Sequence, residues 1–174
     1  MNGGDVTEEE CAIIYVRSWV VVHSEDAAAV ARSMRVVAAR DCAVQQGLDE
    51  TARDRRKCFV APPTGGWTLV FGADLAFDDA LVSRLSREYG ETQAFHCDAK
   101  HYGYSWTRSR SGAVVRAAGV FDGEASSEGT AAPPEPDDLD DADELDVLRI
   151  ARAWSVDPNA LLRSTAAGQL GDRG

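Results

Sequence analysis

His96, Cys97, Asp98 and His101 lie within six residues of one another, the densest gathering of imidazole, thiol and carboxylate groups in the chain. Such groups serve two chemistries: four convergent ligands hold zinc tetrahedrally, and a histidine oriented by a carboxylate moves a proton. Spacing argues against the first. Along a strand His96 and Asp98 face one way and Cys97 the other, and a turn is expected before His101, so no metal site is assigned. Proton transfer by His96 or His101 with Asp98 is the basis of an alternative reading, a small hydrolase or transferase. His23 ends a predicted strand and has no partner in sequence. No G-x-S-x-G elbow presents a serine nucleophile. Gly65-Gly66 precedes a strand, whereas phosphate-cradling loops lead into a helix N-terminus. Cys11, Cys42, Cys58 and Cys97 are widely spaced with no C-x-x-C pair, and read as inert buried thiols. No catalytic residue and no cofactor is assigned.

Charge carries more information. Asp122, Glu124, Glu128, Glu135, Asp137, Asp138, Asp140, Asp141, Asp143, Glu144 and Asp146 fall in one stretch, 122–147, that contains no Lys or Arg. The other 18 acids match the 18 bases, so the whole net charge of −11 is local. Like charges set among Gly, Ser, Pro and Ala repel one another, stay solvated and attract cationic surfaces. Asp137, Asp138, Asp140, Asp141, Asp143 and Glu144 are the densest part and are expected to steer a basic protein partner. The run DDLDDADELD lacks the glycine and ligand spacing of a calcium loop. An acidic chain, pI ≈ 4.6, is repelled by phosphate backbones and anionic lipid, so neither nucleic acid nor membrane is an expected partner. A second candidate surface is the aromatic stripe Tyr102, Tyr104 and Trp106 with Arg108 and Arg116 nearby. Its composition fits a core stripe under a helix or, if the face is open, a protein contact in which Tyr104 and Trp106 anchor the partner.

The elements that must position these groups follow from patterning. Residues 11–23 are β-branched and aromatic and predict a strand. Ser24 offers an N-cap, Ala27, Val30, Met34, Val37 and Ala38 recur at helical spacing, and Gly47 reads as the stop. Short extended pieces follow at 58–60 and 67–71, then a helix over 78–89 closed by Gly90. Three extended segments, 91–98, 101–109 and 113–121, form a meander whose last turn is Ser111-Gly112. The order predicts an α+β fold: a mostly antiparallel sheet of four to six strands with helices packed on one face, an acidic linker and C-terminal helices. As domains this gives a flexible N-terminus at 1–10, the core at 11–121, the Pro-containing acidic linker at 122–140, C-terminal helices packing on the core at 141–167 and a frayed tail at 168–174. The N-terminus lacks the basic start and apolar run of a secretory signal, and Trp19–Val22 is the longest strongly apolar run, so a cytoplasmic location is expected.

The tail LRIARAWSVDPNALL (148–162) resembles part of a bacterial repressor helix-turn-helix, which implies a DNA-binding regulator as a further alternative, with Arg149, Arg152 and Arg163 on one face. WTLVFG (67–72), LSREYG (85–90), QAF (93–95), YGYSW (102–106) and VVRAAG (114–119) together resemble an uncharacterised family of small bacterial single-domain proteins. That resemblance covers roughly residues 60–160 and implies one domain with no assigned activity, cofactor or site. At the level of class, the organisation is similar to immunity proteins of bacterial toxin systems, which implies a non-enzymatic protein that binds and neutralises a basic toxin or enzyme.

Overall fold

Every residue of the run Trp19-Val20-Val21-Val22 is fully buried, although strand side chains alternate between faces. Both faces of β1 (Val16–Val22) are therefore covered, and the rest of the fold follows from that requirement. The computed structural model describes residues 16–174. Cys11, the expected flexible segment 1–10 and the first residues of the predicted strand lie outside them.

Among the described residues nine strands form one sheet: β1, β2 (Val36–Cys42), β3 (Lys57–Val60), β4 (Thr68–Gly72), β5 (Glu91–Asp98), β6 (Gly103–Arg110), β7 (Ala113–Phe121), β8 (Glu124–Gly129) and β9 (Gly168–Arg173). Their spatial order is β2-β9-β3-β4-β1-β5-β6-β7-β8, and every pairing is antiparallel. The α-helices among the described residues are α1 (Ala27–Ser33), α2 (Val44–Arg53), α3 (Asp79–Tyr89) and α4 (Glu144–Trp154). Val20, Val22, Val60, Val70 and Ala94 pack under α1 and α3 on one face. Trp19, Phe59, Phe71, Phe95, Tyr104 and Trp106 pack under α2 and α4 on the other.

This corrects the expected architecture. The sheet has nine strands, not four to six, and helices cover both faces, not one. The predicted long first helix stops at Ser33; Val36-Val37 instead begins β2, because β9 offers those β-branched residues a pairing partner. Gly47 does not end a helix but lies inside α2. The first part of the expected linker is β8, joined to β7 by a two-residue turn at Asp122-Gly123, φ 51° and 75°. Left-handed backbone at both positions matches the twist of a hairpin. The expected frayed tail is β9, an inner strand between β2 and β3. The helix-turn-helix does not form: after α4, residues Pro158–Arg163 make a 3-10 helix. No described helix is long and apolar enough to cross a membrane.

Candidate functional site

Arg116 lies on the inward face of β7 with Ala118 and Val120, a costly place for a charge unless it is paired. Its partner is Glu135. Arg116 Nη2 donates to Glu135 Oε2 at 2.5 Å and Nε donates to the same oxygen at 2.8 Å. Trp106 Nε1 donates to it as well, at 2.9 Å. The Arg116 and Glu135 side chains are only 6% and 2% exposed. Nη1 of Arg116 donates to Ser127 Oγ at 2.7 Å and the Glu128 carbonyl at 2.9 Å, tying β8 into the same network. Burial alone would raise the Glu135 carboxyl, but the hydrogen bonds from Arg116 and Trp106 and the Arg116 charge outweigh it, leaving the group below its ordinary value.

The clamp sets the path of the acidic stretch. After Glu135 the chain makes a 3-10 turn at Leu139–Asp141, in which Asp138 accepts from the Asp140 backbone N–H at 3.0 Å. Leu139 and Ala142 pack into the core. Asp143 then caps α4, accepting from Leu145 and Asp146 N–H at 2.9 Å, while Asp146 accepts from Asp143 N–H at 3.1 Å. That reciprocal box, with carboxylates at a helix start, is favourable locally and to the helix dipole. Asp146 also pairs with Arg149.

Two members of the acidic block, Glu135 and Asp146, are thus neutralised internally. Asp137, Asp138, Asp140, Asp141 and Asp143 are exposed, and Glu144 is half-buried. None of these six has an ion-pair partner among the described residues. Glu144 accepts a hydrogen bond from Tyr104 Oη at 3.3 Å. Tyr104 and Trp106 themselves are buried core residues. Their use as surface anchors is corrected: the acidic segment and α4 already cover that face. Tyr102 stands apart from the stripe, 74% exposed in the turn before β6. Sequence reasoning missed the Arg116–Glu135 clamp; a lone arginine in an alternating strand beside a Trp was its one signal.

The His-Asp constellation is divided. β4 leaves the sheet at Gly72 while β1 and β5 continue, opening a pocket of about 220 Å³ lined by Arg17, Ser18, Arg55, Asp74, His96 and Asp98, among others. His96 and Asp98 share this pocket. Cys97 is buried on the opposite face. His101 is exposed and lies outside the pocket lining, with Nδ1 2.8 Å from Asp98 Oδ2. Burial lowers the His96 pKa, opposed by the charges of Asp98 and Asp74. His96 Nδ1 is buried with no hydrogen-bond partner. The ring rests against Phe77, 4.7 Å between centroids, and Phe121 at 5.9 Å. Among the described residues no three His, Cys, Asp or Glu side chains converge as metal ligands.

No family model, no curated protein and no solved structure matches this chain.

Proposed function

We propose that the protein is a non-enzymatic interaction protein that binds a basic protein partner through its acidic segment, in the manner of an immunity or inhibitor protein. The observation that carries this reading is the set of exposed carboxylates at Asp137, Asp138, Asp140, Asp141 and Asp143, unpaired yet held against the sheet on either side by Glu135 and the α4 cap. A surface of one sign raises the encounter rate of an oppositely charged protein and orients it. Holding the carboxylates in place reduces the ordering entropy lost on docking. With Tyr104 and Trp106 buried, the short-range contacts come from other residues.

Replacing Asp137, Asp138, Asp140, Asp141, Asp143 and Glu144 by their amides tests the reading, with the partner taken by affinity capture from the source cell. Stopped-flow association at low salt is expected to slow by about tenfold or more, with a smaller change in dissociation. An unchanged association rate would defeat the proposal.

The alternatives have less support. Regulation by DNA binding loses its second helix, and Arg149 and Arg152 are engaged by Asp146 and Asp157. A hydrolase or transferase gains the shared pocket of His96 and Asp98, but Asp98 is held by His101 and by the N–H groups of Lys100 and His101.

A further inference from the structure

The sheet ends in two edges of different character. At one, the register of β2 against β9 shifts between Val37 and Arg40, and Ala38 sits at φ 51°. Such an irregularity turns an edge away from further pairing. At the other, β8 pairs with β7 without interruption over Glu124–Gly129, contains no proline, and exposes all six residues. An edge of this kind presents alternate N–H and C=O groups outward as a template for one more strand.

Carboxylates bracket this edge on both faces. Glu124 and Glu128 stand opposite Phe121 and Ala117 of β7, on the face that carries α3, which packs over β5, β6 and β7. There the short side chains of β6, β7 and β8 leave a groove of about 350 Å³, lined in part by Phe77, Asp79, Ser105, Thr107, Ser126 and Glu128, with no base among its lining residues. On the opposite face the Leu139–Asp141 turn packs against β7 and β8, bringing the unpaired aspartates of the acidic segment to the same end of the sheet.

We infer that β8 accepts an extended cationic segment of a partner protein as a tenth strand. The inference rests on the proposed reading of a basic partner and specifies how that partner docks. Side chains of an added strand alternate between faces, so bases on one face meet Glu124, Glu128 and the groove, and bases on the other meet the Asp138–Asp141 region. Backbone hydrogen bonds supply affinity and register, and the bracketing charge supplies selectivity. A basic helix could satisfy the carboxylates but not the strand edge.

The probe is a blocked octapeptide, two repeats of Arg-Arg-Val-Val, titrated into the full chain at low salt beside the same peptide N-methylated at alternate amides. N-methylation keeps the charge and removes the donors an added strand needs. The parent peptide is expected to bind about tenfold or more tightly than its N-methylated form and to slow amide exchange at residues 124–129. Equal binding of both peptides, lost in the six-amide variant, would overturn strand addition while leaving the acidic-surface reading intact. Binding of neither peptide would overturn both. Exchange protection confined to β2, or a sedimenting dimer whose second copy already protects β8, would also overturn the inference.

Discussion

Glu135 shows how a residue's environment decides its role. By sequence it is one of eleven acids in a like-charged stretch; in the structure it is the buried counterion of Arg116, 19 residues away. Removing one partner of a buried pair leaves the other charged and unsatisfied, which costs about 3–5 kcal/mol, whereas replacing both with apolar residues of similar volume is often neutral or stabilising. Glu135→Ala is therefore expected to lower unfolding free energy by about that amount in urea titrations, and Arg116→Met with Glu135→Leu to recover most of it. Acid should act like the single substitution. The Glu135 carboxyl is held below the ordinary glutamate value of about 4.3. Its stabilising contribution is thus complete above that value and is lost as pH falls through the depressed folded-state pKa. The stability gap between the native chain and Glu135→Gln should be constant from pH 7 to 5 and close as pH falls through the depressed value; a gap that persists in strong acid would contradict the assignment.

At the scale of elements, close approach explains what patterning did not predict. A Cβ on Gly47 of α2 would lie 2.2 Å from the Phe59 ring, and one on Gly168 of β9 would lie 2.4 Å from the same ring. Phe59 occupies space that two absent side chains vacate, so the helix and the inner strand both dock on it. Gly47→Ala should consequently destabilise by about 1–3 kcal/mol through overpacking, against the gain of about 1 kcal/mol that alanine brings to an ordinary helix interior. Denaturant unfolding beside Gln46→Ala, one residue away and exposed, checks the sign. The same glycines hid these elements: Gly47 reads as a terminator, and Gly168 and Gly171 make β9 look like a tail. β2 was hidden by alanines and a methionine at helical spacing. By contrast, the meander β5–β7 and its Ser111-Gly112 turn are legible because alternation and turn chemistry agree. Asp122-Gly123 carried an equally strong hairpin signal, masked by the acids around it. The unbroken apolar run of β1 already implied cover on both faces. Of the candidate site, the exposed aspartates are visible in composition, while the clamp that holds them is a long-range pairing that composition does not contain.

For the molecule as a whole, charge is distributed asymmetrically. Outside residues 122–147 the chain is balanced, with 18 acids and 18 bases, and many of those are locally paired, as in Arg40–Glu50, Lys57–Asp172 and Arg108–Glu91. Exposed pairs such as Arg40–Glu50 contribute little individually and are screened by salt. The acidic segment, lacking cations of its own, is folded against the sheet despite mutual repulsion among Asp137, Asp138, Asp140, Asp141 and Asp143. Repulsion between solvated charges decays over a Debye length, about 30 Å at 0.01 M salt and about 8 Å at 0.15 M. Raising sodium chloride across that range should therefore stabilise the isolated protein, where a chain held mainly by surface ion pairs would be weakened. Thermal unfolding followed by circular dichroism should show Tm rising with salt, and the rise should flatten in the six-amide variant, whose repulsion is already gone. A cationic partner would supply the same relief more strongly than salt because it places fixed charges beside the segment. Its binding should raise Tm most at low ionic strength and progressively less as salt increases. A Tm that falls with salt in the free protein would mean that the acidic segment is already compensated, and would remove the electrostatic reason for a basic partner.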